Sequence, residues 1–427
     1  MSQFKDLSLW QRLRRFAVIA TFAVGLAAPM ASAQEDQEKE DDKNTVMSER
    51  AYKILSQAHE ALGANNYAEA IAKLQQMETK LRLSDYERAL VLQTYGFVYA
   101  QQSKYDEALR YFEECVALDA LPLKAQQGML YSLAGLYANN QQWLKAVETI
   151  EKWLVAEPDP PPEAYILIAS SYAELKRYRD ALPWIEKAIA ATNEPKESWY
   201  QLMIAMYFEL KEFRNAARTG RTMVAIWPDK KQNWEMLQGA YQELADDFNA
   251  MSTLELGYRR GVLIEEANIV NLARMKMFLE VPYDAAEILA KEMQAGRVER
   301  TTKNLELLLA GWEAAREFEK AVVIIDELAA AAPTGKLYAR KAQLYQERNR
   351  WEDVVSSADQ ALERGGLTNK DEGTVLLLKG VALMELDRNQ AAQDTFTRVT
   401  RLGGRAAEQA VSWINYLKDQ AGTLSAG

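Results

Sequence analysis

One short pattern, returning about every 35 residues, limits what this chain of 427 residues can fold into. The segment KYDEALRYFEECVALD at 104–119 recurs in altered form as NYAEAIAKLQQM from Asn66, QWLKAVETIEKWLVAEP from Gln142 and RYRDALPWIEKAIAA from Arg177. Further copies are EFRNAARTGRTMVAIWP from Glu212, EFEKAVVIIDELAAAAP from Glu317 and RWEDVVSSADQALERG from Arg350. In each, an aromatic residue stands three before a small one, and apolar residues then fall at helical spacing. The small residues are Ala70, Ala108, Ala146, Ala181, Ala216, Ala250, Ala286, Ala321, Val354 and Ala392, separated by 38, 38, 35, 35, 34, 36, 35, 33 and 38. A preceding helix ends near a tyrosine in Tyr99, Tyr137, Tyr172, Tyr207, Tyr241 and Tyr345. A unit of this size is a pair of antiparallel helices that cannot bury its apolar face alone, so stacked neighbours must complete the core. Small residues let the two helices approach, and aromatics fill the gaps between them. The expected fold is an all-α stack of about ten helix pairs over residues 51–406.

The units resemble the tetratricopeptide repeat family, whose signature is W-x2-L-G-x2-Y, then A-x3-F, then P. Repeat two supplies Leu92, Gly96, Tyr99, Ala108, Phe112 and Cys115; repeat six supplies Trp234, Leu237, Tyr241, Ala250 and Leu254. Repeat five supplies Tyr207, Ala216 and Pro228. Departures are Arg274 at a small-residue place, Val354 for Ala and Asn389 for the inter-helix aromatic. The resemblance implies a right-handed α-solenoid. After the last repeat, Val411, Trp413, Ile414 and Leu417 make a helical stripe, so 407–427 is expected to form a capping helix and tail. The run Asp159-Pro160-Pro161-Pro162 is expected to be a stiff lead-in turn, because Pro is tolerated at a helix start.

The N-terminus has the pattern of an export signal. Lys5, Arg12, Arg14 and Arg15 precede an apolar stretch from Phe16 to Ala28, followed by Pro29 and Ala31-Ser32-Ala33. Cleavage is expected after Ala33, giving a periplasmic protein with no stable membrane anchor. Residues 34–50 then open with QEDQEKEDDKN, which has nothing apolar to bury and is expected to be a disordered acidic tether.

Charge and composition narrow the chemistry. The chain has 51 basic and 61 acidic side chains, and its acidic balance disfavours a nucleic-acid partner. With one Cys (Cys115) and one His (His59), no intramolecular disulfide or His/Cys zinc site can assemble, and nucleophilic triads have little to draw on. Nucleotide-binding and hydrolase motifs are missing. No enzyme activity, cofactor or metal is expected. Cys115 falls where a small buried residue is needed.

Function therefore points to binding. In tetratricopeptide repeat proteins the first helix of each pair lines a concave groove that holds peptides. Carried onto this chain, the resemblance implies a groove of Tyr52, His59, Gln93, Phe97, Gln101, Tyr131, Asn139, Gln201, Phe208, Gln242, Asn271 and Phe278. Amides donate to and accept from an extended backbone, and aromatics add contact area. The Lys/Asn carboxylate clamp of the co-chaperone members is absent. The expectation is a periplasmic scaffold for another envelope protein or peptide segment, with homo-oligomers compatible. Its overall layout looks like the exported repeat proteins that accompany TonB–ExbB–ExbD energy-transduction systems in Gram-negative bacteria. The alternatives are a small-ligand or cell-wall glycan-binding solenoid, or a coordinator of cell-wall synthesis.

Overall fold

The computed structural model describes residues 45–425, with side-chain surroundings as far as 419. The expected signal at 1–33 and most of the acidic tether lie outside the described residues. The described residues form twenty-one α-helices and no strand. The first four pairs are α1 (Glu49–Gly63) with α2 (Tyr67–Lys80), α3 (Asp85–Gln101) with α4 (Tyr105–Leu118), α5 (Leu123–Asn139) with α6 (Trp143–Ala156), and α7 (Pro162–Glu174) with α8 (Tyr178–Ala190). Next come α9 (Glu197–Glu209) with α10 (Phe213–Ile226), α11 (Lys231–Glu243) with α12 (Asp247–Arg259), and α13 (Glu266–Phe278) with α14 (Pro282–Gln294). The last are α15 (Thr302–Ala314) with α16 (Phe318–Ala331), α17 (Lys336–Gln346) with α18 (Trp351–Arg364), and α19 (Asn369–Glu385) with α20 (Asn389–Thr400). The final helix, α21 (Gly404–Ser425), stands alone. The array begins at Glu49, two residues ahead of the expected boundary, because Ser48 caps α1.

The chain divides into two compact units, which the uniform repeat did not foretell. One runs to Pro228 and includes Gly239–Leu244; the other comprises Asp229–Gln238 and everything from Ala245. Each unit is an α-solenoid in which helix pairs stack on helix pairs. The Pro160–Pro162 run is no boundary: Pro161 caps α7 and Pro162 is its first residue, as a stiff lead-in turn requires.

All ten helix pairs share one turn. A single non-glycine residue with positive φ sits two before each second helix: Asn65, Ser103, Gln141, Lys176, Lys211, Ala245, Glu280, Arg316, Asn349 and Asp387. The following N–H reaches back five residues, as in Asn66 to Ala61 at 2.8 Å and Glu212 to Tyr207 at 2.8 Å. This closes the first helix by the Schellman arrangement, and the same residue then starts the second helix. Left-handed backbone costs an L-residue roughly 1–2 kcal/mol, whereas glycine adds roughly 0.5–1 kcal/mol of ordering entropy. Lys211→Gly is therefore expected to stabilise the chain by about 0.5–1 kcal/mol, read as a raised urea midpoint at unchanged m-value.

The shared turn fixes the register of the small residues. Five residues after each left-handed position lie Ala70, Ala108, Ala146, Ala181, Ala216, Ala250, Ala285, Ala321, Val354 and Ala392, every one at 0% exposure. In the seventh repeat the equivalent residue is thus Ala285, correcting the expected Ala286, which is also fully buried. The pattern slips there because the aromatic, Tyr283, stands one place later than usual, behind Pro282.

The tyrosines near the ends of the first helices tie one pair to the previous one. Tyr137 donates to Glu113 at 2.5 Å, Tyr172 to Glu151 at 2.6 Å and Tyr207 to Glu186 at 3.3 Å. At the next step the polarity reverses, and Arg221 donates to Tyr241 at 3.4 Å. In the second unit the same step is an ion pair, Lys276 with Glu255 at 2.9 Å. Burial, and then the neighbouring carboxylate, pushes the hydroxyls of Tyr172 and Tyr207 up to about 12.

The C-terminal helix caps the stack on the expected stripe, with Trp413, Ile414 and Leu417 in place and Ala410 instead of Val411. Ala410 and Leu417 are buried against Phe396 and Val399, with Trp413 and Ile414 packed beside them. Val411 points to solvent. Cys115 is fully buried on α4, and its thiol donates to the Ala89 carbonyl at 3.3 Å. Burial pushes that thiol up to about 12. The thiolate is the reactive form, so the native protein is expected to resist a disulfide-exchange reagent at pH 8 and react fully in urea. Stoichiometric labelling without urea would contradict that.

Candidate functional site

The face of the first helices carries the residues expected to line a groove, and ten of the twelve belong to the first unit. The structure sorts these ten into two groups. Six are engaged within the protein. His59 Nε2 lies 3.0 Å from the Thr94 hydroxyl, Gln93 donates to the Met129 sulfur at 3.1 Å, and Gln201 donates to Glu197 at 3.3 Å. Phe97 meets Phe112 edge-on at 5.2 Å, Tyr131 lies on Trp153 at 4.8 Å, and Phe208 meets Phe213 at 5.7 Å. The three ring contacts join the two helices of a pair, His59–Thr94 and Gln93–Met129 join the first helices of successive pairs, and Gln201–Glu197 stays within α9, so much of this face holds the stack together.

The other four face outward or keep unused bonding capacity. Tyr52 is 65% exposed, and Asn139 and Gln242 are exposed. Gln101 is half-buried, and its Oε1 has no hydrogen-bond partner among the described residues. In the second unit, Asn271 is half-buried and Phe278 is 71% exposed.

His59 gives this face a pH dependence, because it is the one histidine of the chain. Burial lowers its pKa from 6.5. The native ring stays neutral where the unfolded ring gains a proton, so stability is intact above pH 6.5 and falls as pH drops below it, until the lower native value is reached. The slope is at most about 1.4 kcal/mol per pH unit. His59→Gln is expected to flatten the thermal midpoint between pH 7.5 and 6; an unchanged profile would remove His59 as the cause.

Two cavities were not foreseen. In the first unit, about 270 Å³ opens between α8, α9 and α10, lined by Tyr200, Met203, Tyr207, Ile189, Arg218 and their neighbours. In the second, about 610 Å³ is lined by Glu313, Arg316, Phe318, Arg340, Gln343, Leu344, Glu347 and Arg348. Arg340 is held by Glu313. The Arg348 guanidinium lies 3.8 Å from the Phe318 ring centre and donates to the Arg316 carbonyl at 3.4 Å. Glu313 Oε1 is buried without a hydrogen-bond partner among the described residues. The larger cavity thus offers guanidinium donors, an amide, an aromatic face and a waiting carboxylate oxygen, the mixture an extended polypeptide can satisfy. Its signal in the sequence was Arg340 and Gln343 at i and i+3 on α17, with Glu347 at i+7 as its C-cap.

None of the nine described tryptophans is exposed. Trp153, Trp199, Trp234 and Trp312 are buried outright, and the other five are half-buried. Among the described residues, no group of three or more His, Cys, Asp or Glu is placed to hold a metal ion.

A sequence profile of the tetratricopeptide repeat matches residues 85–120 and 162–195, which are the α3–α4 and α7–α8 pairs. No curated protein matches. Among solved structures, a tetratricopeptide repeat protein from Parabacteroides merdae is similar at 16% identity and a TM-score of 0.38, over 62% of this chain and 99% of that one. The C-terminal part of a TPR repeat-containing protein from Cytophaga hutchinsonii is similar at 17% identity and 0.39, over 66% and 96%. YrrB, described as a TPR protein with an unusual peptide-binding site, is similar at 14% identity and 0.35, over 43% and 88%. Residues 85–120 and 162–195 match the tetratricopeptide repeat, and the turn and buried small residue they contain recur in the other eight helix pairs of this all-α chain.

Proposed function

We propose that this protein is an exported, periplasmic scaffold that holds a segment of another envelope protein on the first-helix faces of its repeats. Tetratricopeptide repeats are interaction modules, and the observation that carries the reading is the 610 Å³ cavity between α15, α16 and α17 with its unsatisfied Glu313 oxygen. A buried acceptor left without a donor costs roughly 1–3 kcal/mol, and a partner's backbone N–H would relieve it. The periplasmic location rests on the basic, apolar and Ala-x-Ala pattern of residues 1–33.

The test is photo-crosslinking in cells from position 343, read by mass spectrometry. A dominant envelope protein, lost when Arg348 is changed to Ala, is expected. The same proteins captured from exposed Val155 would sink the reading. N-terminal sequencing of the exported protein is expected to begin at Gln34. The narrower proposal, an accessory of TonB-dependent energy transduction, rests on overall layout. It predicts impaired TonB-dependent uptake under iron or cobalamin limitation when the gene is deleted, and normal uptake would refute it.

A further inference from the structure

The second residue of the second helix is exposed in all ten repeats. Seven repeats place their aromatic one position earlier, where it is half-buried: Tyr67, Tyr105, Trp143, Tyr178, Phe213, Phe318 and Trp351. In repeats six and seven that earlier position holds Asp247 and Pro282, and the aromatic slides outward. Phe248 is 66% exposed and Tyr283 is 40% exposed as a result. Repeat seven departs at two more turn positions. The residue two before the left-handed one is Phe278, where the other repeats have Gly, Gln, Asn, Glu or Ala. The residue just after it is Val281, polar or charged in every other repeat.

Consecutive helices run antiparallel, through three residues within these pairs and six between α12 and α13, so the start of α12, the end of α13 and the start of α14 share one edge of the second unit. That edge gathers Phe248, Phe278, Val281 and Tyr283. Tyr283 is steadied from behind by Trp312 at 5.7 Å, with Lys320 over its ring at 5.0 Å. The edge is also acidic. Asp246, Asp247, Glu280 and Asp284 lie within it, and no Lys or Arg occurs from 245 to 258 or from 277 to 290. Of the cations beside it, Lys276 is buried and already held by Glu255 at 2.9 Å and Asp284 at 3.5 Å, and Lys320 lies over the Tyr283 ring and pairs with Glu317 at 3.2 Å. Exposed large apolar side chains grouped this way mark interaction surfaces, and the surrounding carboxylates select the charge of whatever covers them.

We propose that the turn edge of repeats six and seven is a second docking surface, for a partner segment that carries apolar residues flanked by Lys or Arg. It meets the first-helix faces only at Phe278, the last residue of α13: its other apolar side chains come from the starts of second helices and a turn, and its carboxylates Asp246, Asp247, Glu280 and Asp284 outnumber the cations beside it. A basic amphipathic helix fits it, laying apolar side chains over Phe248 and Tyr283 and cations toward Asp247 and Glu280.

The test uses the protein from residue 34 onward and two labelled 18-residue amphipathic peptides of one pattern, one of Lys and Leu, the other of Glu and Leu. The Lys peptide is expected to bind at least 10-fold more tightly than the Glu peptide. The triple change Phe248→Ser, Val281→Ser and Tyr283→Ser is expected to weaken it at least 10-fold, and Leu144→Ser with Val155→Ser, exposed in the first unit, to leave it unchanged. Melting curves report whether each variant folds. Asp247→Lys with Glu280→Lys keeps the apolar side chains and is expected to reverse the preference between the peptides. Equal loss in the Leu144/Val155 control, or no loss in either edge variant, overturns the proposal. None of these outcomes depends on the cavity at Gln343 and Arg348, so the two readings stand or fall apart.

Discussion

Phe396→Ala is expected to destabilise the C-terminal end of the second unit by about 3–5 kcal/mol. Phe396 is at 0% exposure, enclosed by α19, α20 and α21, and its ring stacks on Trp413 at 6.3 Å. It fills space left by a glycine: a Cβ on Gly380 would lie 2.4 Å from the Phe396 ring. The same arrangement recurs in repeat two, where a Cβ on Gly96 would lie 2.0 Å from Phe112. Gly380→Ala alone is therefore expected to cost about 1–3 kcal/mol by overpacking, although Ala is the better helix former by about 1 kcal/mol. In the Phe396→Ala background the new methyl has room, and the same Gly380→Ala change is expected to cost nothing or to stabilise. A repeat array loses stability locally, so hydrogen exchange should quicken in α19–α21 and stay unchanged in α1–α4. Additive single and double variants would show that glycine and ring are independent.

Much of the fold was legible because the repeat is enforced at one demanding place. Each pair needs a residue no larger than Ala or Val five places after its turn, and a deletion or enlargement there is felt at once in a close-packed interior. That is why nine of the ten small residues could be placed from the sequence, and why the tenth slipped by one where Pro282 displaced the aromatic. The turns were hidden for the opposite reason. Their left-handed residue is never glycine, and is Lys, Ala, Glu or Arg in five repeats, so no local signal marks it. The division into two units was hidden as well, because α11 has the same pattern as its neighbours.

The site was less legible than the fold. All twelve residues chosen by face lie on first helices, but a face that meets the next pair is partly packing surface. His59, Gln93, Phe97, Tyr131, Gln201 and Phe208 are all large enough to reach a neighbouring side chain, and they do. Tyr52, Asn139 and Gln242 have side chains of the same kinds and stay in solvent. Residue type cannot separate the two groups; the contacts made in the folded chain do. The Glu313–Arg348 cavity escaped notice because its charged residues look like ordinary solvated surface until α16 and α17 bring them together.

Glu255→Ala is expected to cost more than removing its partner. Lys276 is at 5% exposure on α13, and its ammonium is held by Glu255 at 2.9 Å and Asp284 at 3.5 Å. Removing one member of a buried ion pair strands the other, which costs about 3–5 kcal/mol when both are sealed from water. Glu255 keeps 21% side-chain exposure and Asp284 remains nearby, so about 2–3 kcal/mol is expected for Glu255→Ala. Lys276→Met keeps the length of the side chain and removes the charge that burial penalises, so it is expected to be neutral within about 1 kcal/mol. Acid supplies an independent reading. Burial pushes the Glu255 carboxyl up, but hydrogen bonds from Lys276 and Arg259 and their charges outweigh it and leave the pKa below 4.5. A carboxyl lowered in the native state contributes stability that is complete above pH 4.5 and lost as pH falls through its native value. Wild-type protein is thus expected to lose more stability between pH 5 and 3 than Lys276→Met does, in urea titrations at each pH. If the two curves run parallel, the pair does not supply the acid sensitivity, and the tie between α12 and α13 must come from packing alone.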